Sequence, residues 1–187
     1  MINKSDIVTV DLTTDELADS RVFANAGTAN IGGVSHIFSN RDERSTRSSE
    51  DQLTGQICNY AASVYYTGDA EAYIYSRERA NATPCIGDGG VDIPGRKADI
   101  KGSLMRGSVD PMKYHLYVRP QEYHRDWRYT LTLTRPISNG YRVHLVGEAV
   151  ADILKWVETK YVLPASDLMP LSPRGIYSSW RDSLRGK

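Results

Sequence analysis

The sequence predicts a mixed α/β (α+β) fold in which a mixed central sheet is flanked by helices. Two predicted helices come first, followed by a run of strands and a further helix, and this order is typical of such a fold. Residues 129–134, YTLTLT, alternate polar and apolar side chains as a strand does, and Asn139-Gly140 is a strong hairpin signal after them. A length of 187 residues gives one domain enough chain for a substantial core.

We expect a single domain over residues 1–187. Its core is predicted at about 49–160, preceded by an N-terminal helix and loop at 1–48 and followed by a C-terminal tail at 161–187. Neither an internal repeat nor a low-complexity segment divides the chain further.

The N-terminal region begins with a β-prone run at residues 7–10. Thr13 or Thr14 can cap the helix that follows, because a side-chain oxygen accepts a free N–H group of the first turn, and Gly27 is expected to end it. Residues 28–48 are rich in Asn, Ser, Gly and Arg and indicate a surface loop. Its charged cluster either lies near a polyanionic ligand or is a solvated surface, and base rates favour the solvated surface.

A second predicted helix is capped by Ser48 or Ser49 and ends at Gly68. Its apolar residues recur at three- and four-residue spacing, which predicts one face packed against the core. These residues are Leu53, Ile57, Tyr60, Ala61, Val64 and Tyr65. Gln56 lies on the same turn as this face, so it either points inward toward a site or hydrogen-bonds to solvent at the boundary.

Further strands are predicted from β-prone runs along the rest of the chain. They span residues 72–75, 90–93, 97–103, 114–119, 129–134 and 141–146. A helix is expected over 148–160, because Val150, Ile153 and Val157 recur at helical spacing. Three prolines then break the chain into a tail, with a short helix predicted near 178–184.

Composition and charge narrow the classes of function. The formal net charge is zero, which argues against a protein that coats nucleic acid but not against an enzyme that visits one phosphate. Cys58 and Cys85 belong to no CxxC motif, so we expect buried thiols and neither a disulfide scaffold nor a structural zinc site. No apolar run reaches membrane-spanning length, and the acidic N-terminus lacks a signal peptide's pattern. We therefore expect a cytoplasmic protein with no membrane partner.

The stretch at residues 87–103, GDGGVDIPGRKADIKGS, concentrates the residues with chemical potential. Asp92 precedes a Pro-Gly turn, and Asp99 and Lys101 follow in a β-prone run. A strand alternates its faces, so Asp99 and Lys101 share one side, and a hairpin loop of two or four residues keeps Asp92 on that side too. Two carboxylates and an ammonium presented together suit a hard divalent cation and a phosphate. That is the chemistry of a metal-dependent nuclease.

These residues resemble the motif of the PD-(D/E)xK nuclease superfamily, the restriction-endonuclease-like and Holliday-junction-resolvase-like enzymes. The matching positions are Gln56 in LTGQICNY, Asp92 in GGVDI, and Asp99 with Lys101 in ADIKG. The resemblance covers about residues 49–147. It implies a restriction-endonuclease-like core with a mixed sheet.

Three positions depart from the family's pattern. Val91 stands where a proline normally precedes the first aspartate. Gln56 is uncharged, and Glu50, one and a half turns earlier, is the alternative helical residue. Asp88 competes with Asp92 as a metal ligand.

The resemblance implies that Asp92, Asp99 and the backbone carbonyl of Ile100 hold Mg²⁺ or Mn²⁺, because hard cations prefer oxygen ligands. The metal would polarise the scissile phosphate and lower the pKa of its bound water. Lys101 would orient that water or stabilise charge in the transition state, and we expect its ammonium to stay protonated beside the aspartates. Gln56 would position a metal-bound water.

DNA is the expected substrate, and several residues are predicted to contact it. The Gly102-Ser103 pair after the lysine would let the backbone approach DNA closely. Basic and aromatic residues interleave at 123–129, where they either bind unpaired bases and backbone or form an ordinary surface loop. The predicted nucleic-acid-binding residues are Arg41, Arg44, Arg47, Ser103, Arg106, His124, Arg125 and Arg128.

The leading hypothesis is a Mg²⁺-dependent nuclease acting on DNA, encoded by a phage or mobile element, with a branched or single-site substrate. A second hypothesis is a nucleic-acid-binding or assembly module on the same scaffold that has lost catalysis. A third is a metal phosphoesterase acting on RNA or a small molecule. The presence of Asp92, Asp99 and Lys101 together favours the first over the second. A homodimer is expected, because twofold DNA favours a twofold protein.

Overall fold

The computed structural model describes residues 1–32, 44–82, 92–105 and 107–185 of the chain. The helices are α1 (Ala18–Gly32), α2 (Arg44–Thr67), α3 (Ala70–Ala82) and α4 (Asp182–Arg185). The strands are β1 (Val8–Thr13), β2 (Ala98–Leu104), β3 (His115–Val118), β4 (Arg128–Ile137), β5 (Gly140–Val150), β6 (Lys155–Val157) and β7 (Lys160–Pro164). None of these described helices has both the length and the apolar character needed to cross a membrane.

The strands form two sheets. The larger sheet has the order β1-β5-β4-β2, in which β2 runs parallel to β4 and the other pairs are antiparallel. The smaller sheet has the order β3-β7-β6 and is antiparallel throughout. The predicted hairpin between β4 and β5 forms, with Ser138 and Asn139 as its two turn residues between the paired Ile137 and Gly140. The mixed α+β architecture with a mixed sheet is therefore confirmed.

Different layers cover the two faces of the larger sheet. Helix α2 packs on one face, where Cys58, Ala62 and Tyr66 join a buried cluster with Ala98 and Ile100 of β2. Helices α1 and α3 pack against α2. The smaller sheet covers the opposite face, and a second cluster there unites Leu116, Val118, Leu163, Tyr129, Leu131 and Leu133. The sequence predicted helices around the sheet but not this second sheet.

Helix α2 and strand β2 approach closely at Gly102. A Cβ atom at this position would lie 2.9 Å from both Cβ and Sγ of Cys58, closer than such atoms pack. The missing side chain lets the helix lie directly on the strand, and Cys58 Sγ donates to the carbonyl of Thr132 at 3.8 Å. Gly102 was expected to let DNA approach the backbone closely, but the space left by its missing side chain is occupied by Cys58 of α2.

The predicted N-terminal strand and helix are present. Before α1, the Thr13 N–H donates to Glu16 Oε2 at 2.8 Å and the Glu16 N–H donates to Thr13 Oγ1 at 3.3 Å, which is a capping box. The predicted helix end at Gly27 is wrong, because α1 continues past it. The predicted loop at 28–48 is wrong at both of its ends, which belong to α1 and α2, and residues 33–43 lie outside the described residues.

Two predicted elements have the wrong type. Residues 72–75 are helical within α3, where Tyr73 packs edge-on against Tyr60 of α2 with ring centroids 5.4 Å apart. Residues 148–160 do not form the predicted α-helix, because β5 continues beside β4 through Val150 and only a short 3₁₀ helix at Ala151–Ile153 separates it from β6. In both stretches, packing or pairing with distant residues outweighs the weak local preference, which is for a strand at 72–75 and for a helix at 148–160.

Candidate functional site

A tight turn places Asp92 beside the start of β2. The Arg96 N–H donates to the Ile93 carbonyl at 3.0 Å, and Gly95 has a φ of 72°. This is the type II turn that the Pro94-Gly95 pair favours, because its third position requires a positive φ. The Asp92 N–H then donates to the carbonyl of Ala98 at 3.2 Å. Asp92 itself lies outside any strand, and the preceding residues of the predicted strand are outside the described residues.

The buried Asp92 carboxylate binds three donors from three elements. Its Oδ2 accepts the Ile100 N–H of β2 at 2.6 Å, and its Oδ1 accepts Nδ2 of Asn59 from α2 at 2.9 Å. The Arg77 guanidinium of α3 also donates to Oδ1, at 2.8 Å, and the side chains of this ion pair are 9% and 7% exposed. Charge-assisted hydrogen bonds of this kind compensate the desolvation of a buried carboxylate.

The backbone carbonyl of Ile100 points to the same edge as Asp92. In an extended strand the N–H and C=O of one residue point in the same direction. The Ile100 N–H donates to Asp92 and not to β4, so its carbonyl also projects from the edge of β2 that β4 leaves open. The side chain of Ile100 packs toward α2.

Asp99 and Lys101 lie on the face of β2 that is turned away from α2. Lys101 Nζ lies 2.7 Å from Asp99 Oδ2 and 2.8 Å from Glu122 Oε2, so the ammonium bridges two carboxylates. Arg119 forms a second ion pair with Glu122. The Asp99 side chain is only 5% exposed, while those of Lys101 and Glu122 are 17% and 24% exposed. Solvent therefore reaches the cluster from the side of Lys101 and Glu122.

The three ionisable groups of this cluster influence each other strongly. Burial raises the pKa of Asp99 to about 8, and the negative charge of Asp92 adds to this effect. Burial lowers the pKa of Lys101, but the carboxylates of Asp99 and Glu122 outweigh it and raise that pKa above its usual value. Burial also opposes ionisation of Glu122, yet Arg119 and Lys101 lower its pKa to about 2. Lys101 and Glu122 are thus charged at neutral pH, whereas the raised pKa of Asp99 favours its protonated form more than in an ordinary aspartate.

The oxygen atoms near Asp92 suit a hard cation. The Asn59 Oδ1 atom is buried and has no hydrogen-bond partner among the described residues. The two aspartates and the Ile100 carbonyl also offer oxygen atoms, which are the ligands that Mg²⁺ and Mn²⁺ prefer. No group of three or more His, Cys, Asp or Glu side chains in the described residues could hold a metal. Mg²⁺ requires fewer, because it is commonly held by one or two carboxylates, waters and a substrate phosphate.

The two residues of α2 that were predicted for the site, Gln56 and Glu50, lie in different surroundings. Gln56 is buried, and its Oε1 accepts the Tyr73 hydroxyl at 2.9 Å. Its neighbour one turn later, Asn59, makes the contact of α2 with Asp92. Glu50 is exposed near the start of the helix. Asp88 lies outside the described residues.

The predicted nucleic-acid-binding residues do not form one group in the described structure. Arg41 and Arg106 lie outside the described residues. Arg44 and Arg47 belong to the first turns of α2, and their side chains are not among those described. Ser103 is half-buried on β2.

The cluster predicted at 123–129 is divided between two faces. His124 packs on Trp127 with ring centroids 4.3 Å apart, and Arg125 is exposed with its Nε 3.9 Å from Asp152. Arg128 instead pairs at 3.2 Å with Glu148, a buried carboxylate that also accepts the hydroxyl of Tyr66 in α2. Arg128 therefore stabilises the helical side of the sheet.

Sequence reasoning missed Asn59, Arg77 and Glu122, which surround the predicted residues. Asn59 had a usable signal, because it follows Gln56 by three residues and shares its helix face. No family model, curated protein or solved structure matches this chain. The assignment of function therefore depends on the residues and geometry described above.

Proposed function

We propose that this chain is a metal-dependent nuclease that hydrolyses phosphodiester bonds of DNA on a restriction-endonuclease-like core. The observation that carries this proposal is the placing of four groups at β2. Asp99 and Lys101 share one of its faces, and Asp92 and the Ile100 carbonyl lie at its open edge. The resemblance of GGVDI and ADIKG to the PD-(D/E)xK motif supports the same function.

Asp92, Asp99 and the Ile100 carbonyl would hold Mg²⁺ or Mn²⁺, with the Asn59 amide oxygen as a further donor. When bound, the metal supplies Lewis-acid polarisation of the phosphate and a water of lowered pKa. The raised pKa of Asp99 fits this role. Burial and the negative charge of Asp92 disfavour ionisation of Asp99, and a bound cation would offset both effects.

Lys101 would stabilise negative charge that develops on the phosphate. Its ammonium is held by Asp99 and Glu122, and their charges raise its pKa, so it acts as a fixed positive charge and not as a general base. Arg119 orients Glu122 from the outside. Gln56, which accepts a hydrogen bond from Tyr73 of α3, would act indirectly by fixing the helix that carries Asn59.

The setting and partners follow from the same proposal. DNA is the substrate, and a homodimer would present two sites to two strands. A cytoplasmic location fits the buried free thiol of Cys58, whose pKa burial raises to about 12. Buried thiols of this kind persist in reducing compartments.

A cleavage assay on plasmid and branched DNA, with Mg²⁺ or Mn²⁺ and with EDTA, tests the proposal. Wild type is expected to cut only with metal, and Asp99→Asn and Lys101→Met to lose about 100-fold or more in rate. Lys97→Met and Asp126→Asn are matched controls, because these residues form an exposed ion pair beside the site. Equal background cleavage by the wild type and all variants would contradict the proposed nuclease activity.

A catalytically inactive nucleic-acid-binding or assembly module is the second candidate. The observation favouring it is that Arg77 and Lys101 already contact the two aspartates without a metal. Metal binding separates the candidates, since an ion at ten times its Kd stabilises the fold by about 1.4 kcal/mol. A nuclease is expected to show a higher Tm with Mn²⁺ that Asp99→Asn abolishes. An inactive module is expected to show none.

A further inference from the structure

The smaller sheet carries exposed apolar side chains on both of its faces, with Trp156 on the face of Tyr161 and with Tyr117 and Val157 on the other. Eight large hydrophobic side chains are exposed in the described part of the chain. Four of these eight belong to this sheet or to the turn just before β6, namely Tyr117, Ile153, Trp156 and Val157. Trp156 is the most exposed of these four side chains, and Trp is enriched at binding interfaces.

An aromatic stack runs through one side of this sheet into solvent. Tyr123 and Tyr161 stack with ring centroids 3.9 Å apart and planes inclined by 15°. Trp156 meets Tyr161 edge-on at 5.0 Å and is 54% exposed. The inner members pack against the core, whereas Trp156 ends the stack at the surface. Tyr161 thus holds the indole of Trp156 in place while much of it stays accessible.

The stack is continuous with the candidate site. Tyr123 directly follows Glu122, whose carboxylate binds Lys101. The hydroxyl of Tyr129 fixes this segment to β4, because it donates to the Glu122 carbonyl at 2.9 Å and accepts the His124 N–H at 2.7 Å. One short segment therefore links the ammonium of Lys101 to the aromatic surface.

The chemistry of the surface fits a nucleic-acid strand. Lys155 directly precedes Trp156, and Arg125 follows Tyr123 by two residues. Aromatic rings bind unpaired bases of any sequence by stacking, and neighbouring cations bind the phosphates.

We propose that the smaller sheet binds an unpaired segment of DNA, with a base stacked on Trp156. The further step, that this segment leads the strand toward Lys101, rests on the proposed nuclease function. The substrate class would then be single-stranded or branched DNA, because a fully paired duplex offers no free base face to Trp156.

Fluorescence anisotropy of labelled oligonucleotides with the full chain in EDTA tests the proposal without any cleavage. Wild type is expected to bind single-stranded oligonucleotide more tightly than duplex of the same length. Trp156→Ala is expected to weaken the single-strand affinity by about 5- to 150-fold, the range for one stacked base. Trp156→Phe keeps a ring and most of the affinity. Ile176→Ala, at a residue 45% exposed outside this sheet, is the matched control and leaves it unchanged.

Unchanged single-strand affinity in Trp156→Ala would overturn the proposal. Loss of a dimer in that variant, measured by light scattering with single-strand binding intact, would also overturn it and assign the surface to a second copy of this chain. Because binding is measured without metal, its outcome is separate from cleavage. A wild type that binds single strands but never cuts would contradict the nuclease alone.

Discussion

The carboxylate of Asp92 accepts the backbone N–H of Ile100 at 2.6 Å, in the place where a neighbouring strand would offer its carbonyl. The side chain thereby closes part of the open edge of β2. Arg77 and Asn59 bind the other carboxylate oxygen, so one group joins a strand to two helices. Asp92, which the sequence suggested as a metal ligand, thus also holds β2, α2 and α3 together.

Neutralising Asp92 is expected to destabilise the protein strongly. Asp92→Asn removes the charge that pairs with the buried Arg77 guanidinium, and the loss of one member of such a pair costs about 3–5 kcal/mol. Urea unfolding measures the effect. Arg77→Met is expected to cost a similar amount, and the double variant less than the sum, because no buried charge then remains uncompensated.

Arg181→Met provides the contrast for this prediction. Arg181 also pairs with carboxylates, those of Asp69 and Glu71, but its side chain is 50% exposed. Solvent replaces such contacts readily, so little change in unfolding is expected. If Arg181→Met and Arg77→Met lower the free energy of unfolding equally, the buried pair of Arg77 and Asp92 stabilises the protein no more than an exposed ion pair does.

The stability gained from Asp99→Asn is expected to depend on pH. Burial raises the folded-state pKa of Asp99 to about 8 from an ordinary value of 3.8. The folded protein therefore holds a proton that the unfolded chain releases, so stability falls as pH rises through this window. Asparagine has no such proton. The variant should match wild type near pH 4 and exceed it above pH 8, by about 1.4 kcal/mol for each unit of pKa shift.

Urea unfolding in EDTA at several pH values measures this divergence. Asp126→Asn is the matched control, because this exposed carboxylate is paired with Lys97, which lowers its pKa. The control should show no gain over wild type at high pH. Parallel pH profiles for wild type and Asp99→Asn would mean that Asp99 titrates like an ordinary carboxyl.

Local stereochemistry explains what the sequence could predict at the site. The two-residue repeat of a strand places Asp99 and Lys101 on one face, and the Pro94-Gly95 pair selects the type II turn. The apolar spacing of α2 likewise depends only on helix geometry. Each of these inferences involves residues close together in the chain.

Tertiary contacts explain what could not be predicted. Asn59 and Arg77 reach Asp92 from 33 and 15 residues away, and Glu122 reaches Lys101 from 21 residues away. No local pattern marks Arg77 or Glu122, and only the helix face shared with Gln56 marks Asn59. The error at 148–160 has the same origin, because the extended backbone of β5 is fixed by pairing with β4 and, through Glu148, by a bridge to Met169.

Two glycine substitutions in adjacent elements are expected to have opposite effects. Gly102→Ala would place a Cβ 2.9 Å from Cys58 Cβ and Sγ, forcing α2 away from β2 at a cost of about 1–3 kcal/mol. Gly55, within α2, has no atom within 4 Å of a built Cβ. Gly55→Ala should therefore stabilise the helix by about 0.5–1 kcal/mol. Thermal unfolding distinguishes the two, and a neutral Gly102→Ala would show that the helix and strand are packed less closely.

Tyr129→Phe is expected to loosen the segment that holds Lys101. The variant keeps the buried ring but loses the hydroxyl that donates to the Glu122 carbonyl and accepts the His124 N–H. Leaving these groups without partners costs about 1–3 kcal/mol in urea unfolding. Hydrogen exchange provides the local measurement, since the His124 amide should exchange faster in the variant than in wild type.

Tyr117→Phe is the matched control for this change. The Tyr117 ring is 45% exposed on the outer face of the smaller sheet, so loss of its hydroxyl should alter neither stability nor exchange at His124. If Tyr129→Phe behaves like this control, other contacts hold the segment from Glu122 to His124. If only Tyr129→Phe speeds exchange at His124, the Tyr129 hydroxyl is the group that connects β4 to the segment carrying Glu122. The Glu122 carboxylate that orients Lys101 then depends on this hydroxyl, because Glu122 cannot keep its position once its own backbone is released.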